Sequence, residues 1–119
     1  GRWLYVRHKD RSTWEIPGGH REGNESISET ASRELFEETG ATKFSLTPTC
    51  IYSVERGKNV DYTESFGQLF FADVEILSNQ LHFEISSIKL FDEIPENLTY
   101  PLIQPSLHNK VLEFLMSMN

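Results

Sequence analysis

Residues 18–41 read GGHREGNESISETASRELFEETGA, and this stretch decides the fold of the chain. Ser26 and Glu29 match the S-x-x-E capping box that marks the first turn of a helix. Gly40 is typical of the residue that follows the last turn. The stretch therefore predicts a helix over residues 27–39, shortly after a Pro-Gly-Gly turn.

The predicted helix carries three glutamates on one side. At about 100° per residue, Glu34, Glu37 and Glu38 fall within an arc of about 100° that borders the apolar edge of the helix. Like charges at this spacing repel each other and destabilise an exposed helix by a few tenths of a kcal/mol. Mg²⁺ and Mn²⁺ reverse this cost, because they prefer oxygen ligands. On this spacing alone, a metal site and a plain acidic surface both stay open.

The segment before the helix, PGGHREGNE (17–25), is rich in glycine. Glycine lets the backbone approach a ligand closely and turn a carbonyl towards it. Such an oxygen beside clustered carboxylates suits a Mg²⁺ site. Glu25 lies eight residues before Arg33, so it can reach back and form a charge-assisted hydrogen bond that fixes the loop on the helix. An ordinary turn is the competing interpretation of the Pro-Gly-Gly sequence.

The rest of the chain predicts strands, turn-rich connections and one more helix. The predicted strands are WLYVR (3–7), TWEI (13–16), SLTPTCIYSV (45–54), FGQLFFADVEI (66–76) and SSIKLF (86–91). Residues 105–117 predict an amphipathic helix that packs on the sheet. The apolar stripe of this helix comprises Leu107, Val111, Phe114, Leu115 and Met118. We expect a single α+β domain with a mixed sheet between helices.

Length, composition and charge bound the class of protein. A chain of 119 residues fits one domain with one core, and no apolar run approaches the roughly 18 residues of a membrane span. The start of the chain has no secretory signal pattern, and the single cysteine, Cys50, cannot form an internal disulfide. Both observations favour a cytoplasmic location. The net charge of −7 argues against an extended nucleic-acid surface and suits a site for divalent cations, although any acidic protein has such a charge.

The same stretch is similar to the Nudix box, G-x5-E-x7-R-E-U-x-E-E-x-G-U, in which U is a bulky aliphatic residue. The matching residues are Gly19, Glu25, Arg33, Glu34, Leu35, Glu37, Glu38 and Gly40. The sequence differs from this pattern only at the last position, where Ala41 is smaller than usual. We expect this difference to affect packing and not the chemistry. The chain thus resembles Nudix hydrolases, and the later segments ESFGQLFFADVE (64–75) and FEISSIKLFDEIPENLTYP (83–101) loosely resemble MutT-like bacterial members. The resemblance implies the Nudix fold, a mixed β-sheet sandwiched between α-helices (α/β/α).

This resemblance also implies a reaction. Nudix hydrolases use Mg²⁺ or Mn²⁺ to cleave a diphosphate linkage by water attack at phosphorus, here in nucleoside triphosphates or related nucleoside diphosphate derivatives. Nucleotide sugars, dinucleoside polyphosphates and RNA 5′ ends are alternative substrates. A non-catalytic, nucleotide-binding regulatory module is the alternative from another class. Such modules usually lose box glutamates, and none is missing here.

Carried over by position, the resemblance assigns metal ligands. Glu37 and Glu38 would be the main ligands, with the carbonyl of Gly19 beside them. Glu34 would be a further ligand or the base that activates water. An acid from outside the box often completes the set in this family, and Glu84 is the candidate. The alternatives to it are Glu64, Asp73 and Glu75.

The resemblance also assigns the residues around the metal. Glu25 and Arg33 would lock the loop to the helix. Gly18, Gly19 and His20 would contact the substrate, with a solvent-exposed loop histidine as the competing interpretation of His20. Aromatic residues that could stack on a nucleobase, but are more simply core, are Trp3, Tyr5, Tyr52, Phe66 and Phe70. A basic cluster that could guide a polyphosphate, or form a solvated turn, comprises Arg7, His8, Lys9 and Arg11.

We expect residues 1–119 to form a single Nudix hydrolase domain. Because the first strand begins so early, the sequence leaves open whether an N-terminal strand is missing. The expected partner is a small-molecule nucleotide, and no association with a membrane is expected. Many relatives form homodimers, and no sequence feature here identifies an interface.

Overall fold

The computed structural model describes residues 2–56, 63–78 and 85–118, which contain four β-strands and two α-helices. In chain order these elements are β1 (Trp3–His8), α1 (Ile27–Thr39), β2 (Ala41–Arg56), β3 (Thr63–Leu77), β4 (Ile85–Phe91) and α2 (Gln104–Ser117). In this part of the chain, no helix is long and apolar enough to cross a membrane. The predicted elements are therefore present in the predicted order, with the exception of residues 13–16.

Two antiparallel ladders form the sheets of the described chain. β1 pairs with β4, and β2 pairs with β3 from Ala41 opposite Leu77 to Arg56 opposite Thr63. β2 and β3 are thus longer than predicted, because backbone hydrogen bonds continue the pairing through their polar ends. The register of this ladder shifts near Pro48, which lacks the N–H that a regular ladder requires.

Residues 13–16 do not form the predicted regular strand. Glu15 exchanges backbone hydrogen bonds with Val6 at 2.8 and 2.9 Å, in an antiparallel bridge. Trp14 bridges Leu98 in the parallel sense. Successive residues therefore pair with different neighbours, and neither bridge continues into a ladder. The parallel contact beside the antiparallel ladders gives the mixed pairing expected of the fold.

Helix α1 begins and ends where its sequence predicts. The backbone N–H of Glu29 donates to Ser26 Oγ at 3.1 Å, and the N–H of Ser26 donates to Glu29 Oε1 at 2.9 Å, which completes the capping box. Gly40 ends the helix with φ 76°, a left-handed conformation that favours glycine. Ala41 follows at once as the first residue of β2 and is fully buried.

Helix α2 begins at Gln104, and four residues of the predicted stripe are half-buried, namely Leu107, Val111, Phe114 and Leu115. Gln104 and His108 are its buried residues, whereas Met118 is 62% exposed and does not belong to the core. The ring of Phe114 lies 6.0 Å from that of Phe71 on β3. The helix therefore packs on the sheet with a face that contains two polar side chains.

Side chains of β1 contact a different helix on each face of the sheet. The ring centroids of Trp3 and His108 of α2 are 3.8 Å apart, and the Tyr5 hydroxyl lies 2.9 Å from His108 Nδ1. His8 extends to the other side, where its Nε2 lies 3.1 Å from Glu38 Oε1 of α1. The helices thus cover opposite faces, which is the α/β/α arrangement of the Nudix fold.

Candidate functional site

The glycine turn lies directly against the acidic side of α1. A Cβ atom added to Gly19 would lie 2.5 Å from Glu34 Oε1 and 2.6 Å from Oε2, closer than real Cβ contacts. The backbone N–H of Gly18 donates to Glu38 Oε2 at 2.6 Å. The loop and the helix therefore lie in close contact. Gly18 donates a hydrogen bond to Glu38, and Gly19 leaves room for the carboxylate of Glu34.

Arg33 joins this loop to the helix. Its Nε and Nη2 donate to the two oxygens of Glu25 at 2.7 and 3.1 Å, and Nη2 also donates to the backbone carbonyl of His20 at 3.0 Å. Glu25 accepts further hydrogen bonds from the Glu22 backbone N–H and the Thr30 hydroxyl. The expected pairing of Glu25 with Arg33 is present as a bidentate contact.

These contacts change the acidity of both partners. Hydrogen bonds from Arg33, and then from the Glu22 backbone, lower the pKa of Glu25 to about 2. The hydrogen bonds from Arg33 to Glu25 and Glu34 in turn raise the pKa of the guanidinium. Glu25 and Arg33 are therefore charged at neutral pH, which keeps the pairing at full strength.

Arg33 also contacts two of the three clustered carboxylates. Its Nη1 donates to Glu34 Oε1 at 2.8 Å and to Glu37 Oε2 at 3.1 Å. Burial raises the pKa of Glu34, and the hydrogen bond from Arg33 opposes that rise. Glu37 is more open, with 42% of its side chain exposed. Glu34 and Glu37 thus both accept hydrogen bonds from the positively charged guanidinium of Arg33.

Glu38 points the other way, into the protein. Its side chain is 8% exposed, and Oε1 lies 3.1 Å from Nε2 of His8 at the end of β1. Its second oxygen accepts the N–H of Gly18. Glu38 is therefore held by β1 and the loop, whereas Glu34 and Glu37 are held by Arg33.

Glu15 is a second buried carboxylate beside His8 and is not among the predicted site residues. Its Oε2 lies 3.4 Å from His8 Nε2, and its Oε1 accepts from Arg11 Nη1 at 2.8 Å and from Thr99 Oγ1 at 3.1 Å. The sequence contained a signal, since a glutamate between Trp14 and Ile16 must point to one face of an otherwise strand-like segment.

Other candidate residues lie apart from these contacts. Asp73 and Glu75 are exposed on β3, where Glu75 pairs with Lys43 at 3.1 Å. Glu84 lies outside the described residues, and Glu64 belongs to β3 without a described side chain. Among the aromatic candidates, Tyr5 is a core residue, and half-buried Trp3 packs beside it on His108 of α2. His20 is exposed and contacts Arg33 through its backbone.

An open cleft of about 600 Å³ lies elsewhere on the surface, between Trp14 and residues 91–97. The Trp14 ring meets Phe91 edge-on with centroids 5.2 Å apart, and the guanidinium of Arg7 lies 5.4 Å from the Trp14 centroid. Trp14 is next to Glu15 in sequence, and neighbouring residues of an extended segment point to opposite sides. The aromatic wall of this cleft is therefore separated from the acidic side by the backbone of one segment.

The donor set on the acidic side suits a hard divalent cation. Glu34, Glu37 and Glu38 offer carboxylate oxygens, the ligand type that Mg²⁺ and Mn²⁺ prefer. The missing Cβ of Gly19 leaves space against Glu34. In the described part of the chain, no three His, Cys, Asp or Glu side chains already converge on one point. The residues present fit the cation by the chemistry of their donor atoms.

Known proteins resemble this chain in sequence. A family model described as NUDIX domain matches residues 1–104. YtkD of Bacillus subtilis (strain 168), named as a candidate 8-oxo-dGTP diphosphatase, is 39% identical over 117 residues, which amount to 98% of this chain. The chain spans 66% of the length of YtkD, slightly under two thirds.

Solved structures resemble it in fold. A UDP-X diphosphatase superposes with a TM-score of 0.75 and 23% identity, over 96% of this chain and 58% of that one. A MutT NUDIX hydrolase from Burkholderia pseudomallei gives a TM-score of 0.61 and 20% identity, over 93% of this chain and 88% of its own. At these identities the structures establish the architecture.

Proposed function

The chain belongs to the Nudix family, and we propose that it is a metal-dependent pyrophosphohydrolase of nucleoside triphosphates or related nucleoside diphosphate derivatives. One observation carries the proposal: the Gly18–Gly19 turn lies against a helix side with three carboxylates, of which Glu34 touches Gly19 and Glu38 accepts the Gly18 N–H. All fixed charged positions of the box are present, which favours an enzyme over a binding module.

Each group of residues has a proposed task. Glu37 and Glu38 would hold the divalent ion with the carbonyl of Gly19, and Glu34 would be a further ligand or the base for water. When bound, the ion supplies charge neutralisation for the diphosphate and lowers the pKa of coordinated water. Arg33 and Glu25 keep the loop at a fixed distance from the helix. Their bidentate contact preserves the geometry that the ligands need.

The nucleoside part of the substrate is to be identified with a panel of compounds. The name of YtkD makes oxidised guanine nucleotides the first compounds to test. Nucleotide sugars, dinucleoside polyphosphates and RNA 5′ ends complete the panel, because the box acts on the shared diphosphate. The expected partner is a small nucleotide, and Mg²⁺ and Mn²⁺ are both to be compared.

The test measures release of pyrophosphate or phosphate from this panel by the wild type and two matched variants. Glu38→Gln removes a proposed ligand charge and is expected to lower kcat by at least about 100-fold, since even residues that merely support metal ligands often cost 10–100-fold. Glu29→Gln, on the same helix, keeps a side chain that completes the capping box. It is expected to retain wild-type turnover.

Turnover of one substrate class, lost in Glu38→Gln and kept in Glu29→Gln, supports the proposal and names the substrate. Nucleotide binding without product in a folded wild-type protein would replace it with the regulatory-module alternative.

A further inference from the structure

His8 lies between two buried carboxylates that come from different parts of the chain. Its Nε2 is 3.1 Å from Glu38 Oε1 and 3.4 Å from Glu15 Oε2. We propose that His8 is a positioning residue, which holds the Glu38 carboxylate in the orientation that metal binding requires. This inference rests on the proposed function, and it concerns a residue outside the Nudix box.

Each oxygen of the Glu38 carboxylate has a polar contact. The N–H of Gly18 donates to Oε2 at 2.6 Å, and Nε2 of His8 faces Oε1. A carboxylate held at one oxygen can still turn about its last side-chain bond, where the torsional preference is broad. Contacts at both oxygens fix its plane. His8 therefore supplies a fixed point for Oε1 of Glu38, in addition to the Gly18 N–H at Oε2.

His8 is itself well anchored. It is the last residue of β1, at a register shift in the pairing with β4, and its side chain is 24% exposed. Glu15, on its other side, is fixed by Arg11 and Thr99. With its hydrogen on Nε2, the imidazole is attracted to both carboxylates. The position of the ring is thus determined by groups other than Glu38, as a positioning residue requires.

The burial of Glu38 makes this contact consequential. A carboxylate that is 92% buried has little water to orient it, so polar protein groups determine its direction. Groups that orient a metal ligand typically cost about 10–100-fold in metal affinity or activity when they are removed. We expect a loss of His8 to fall in this range, with the substrate affinity little changed because His8 faces Glu38 and Glu15 instead of the substrate.

Three variants separate the role of the Nε2 atom from that of the ring. Gln places an amide nitrogen at the reach of Nε2, whereas Asn reaches only as far as Nδ1, and Phe keeps a ring without any donor. His8→Phe and His8→Asn are expected to lower kcat and Mn²⁺ affinity by about 10–100-fold with KM little changed. His8→Gln is expected to restore most of both quantities.

The measurements are steady-state kinetics with the best nucleotide of the panel, Mn²⁺ titration followed by electron paramagnetic resonance, and thermal unfolding to compare folded fractions. Wild-type kcat and Mn²⁺ affinity in His8→Asn and His8→Phe would overturn the proposal. So would a His8→Gln variant that is as impaired as His8→Phe.

The Mn²⁺ titration keeps the two proposals apart. A wild type that binds Mn²⁺ but hydrolyses nothing overturns the proposed function, while the order of the variants in Mn²⁺ affinity still decides on His8. A wild type that does not bind Mn²⁺ overturns both.

Discussion

A histidine lies at each face of the sheet, and the two histidines have different polar partners. On the α1 face, His8 contacts the carboxylates of Glu15 and Glu38. On the α2 face, His108 pairs with the Tyr5 hydroxyl and packs against the ring of Trp3. One face gathers charge, and the other gathers neutral polar groups among aromatic rings.

Acidity follows the same division. Burial raises the pKa of Tyr5 to about 12 and lowers the pKa of His108, so both are uncharged at neutral pH. The α1 face instead keeps Glu25 and Arg33 ionised. Grouped carboxylates repel one another and cost stability unless cations compensate them. The comparison indicates that the α2 face stabilises the fold, and that the α1 face accepts an electrostatic cost for the proposed chemistry.

The largest test of this division is Gly19→Ala on the α1 face. The new Cβ would overlap the carboxylate of Glu34, which is the end of a flexible side chain and can move away. We therefore expect a loss of about 10–100-fold in kcat, by analogy with displaced metal-supporting groups, and little change in stability. Kinetics and thermal unfolding of the same preparation measure both.

Gly18→Ala is the matched comparison. A Cβ on Gly18 meets nothing within 4 Å, so its effect on kcat should be smaller than that of Gly19→Ala. Equal losses in the two variants would show that the turn tolerates no side chain at all, and that overlap with Glu34 is not what lowers kcat.

On the α2 face, Tyr5→Phe should do the reverse. It leaves Nδ1 of buried His108 without the Tyr5 hydroxyl, a change that costs about 1–3 kcal/mol in the free energy of unfolding. Activity per folded molecule should stay unchanged. Tyr100→Phe, at an exposed tyrosine, should change stability by less than about 0.5 kcal/mol. Denaturant unfolding measures the stability, and kinetics per folded molecule measure the activity. A folded Tyr5→Phe variant with lower activity would contradict the assignment of a purely structural role to the α2 face.

The smallest expected effect is the pH dependence of the Glu25–Arg33 contact. The folded-state pKa of Glu25, about 2, lies below its ordinary 4.5. Its contribution to stability is therefore present above pH 4.5 and is lost as the pH falls through about 2. The difference in melting temperature between wild type and Glu25→Gln should shrink over that window.

Glu22→Gln serves as the control for Glu25, since Glu22 is exposed and lies 3.7 Å from Arg33. Its difference from wild type should be small at every pH. A Glu25→Gln difference that stayed constant down to pH 2 would show that the contact does not stabilise the fold.

The sequence predicts most of the fold where the signals are local. The capping box and Gly40 fix both ends of α1, because each acts within one turn of the chain. Residues 13–16 could not be assigned in the same way, since their pairing depends on Val6 and Leu98. The burial of His108 on α2 was also not predicted, because it depends on contacts with β1 and not on the hydrophobicity of the residue itself.

In the candidate site too, the contacts within one local segment were predictable and the contacts between distant segments were not. The spacing of the box anticipates the contact between Glu25 and Arg33, which are joined by a loop of defined length. It does not anticipate His8, which meets Glu38 only after β1 and α1 pack together, 30 residues apart in the chain. A histidine at the end of a strand has no local signal for the carboxylate that it will contact.

The junction between α1 and β2 has a consequence for how genes of this kind can change. The helix is 13 residues long, is capped at Ser26, and passes through Gly40 straight into the buried Ala41 with no connecting loop. One residue inserted into the helix would rotate everything beyond it by about 100° and turn the glutamates away from the glycine turn. Substitutions at positions of this helix outside the box can therefore be tolerated during evolution, whereas insertions and deletions anywhere within it should be eliminated by selection.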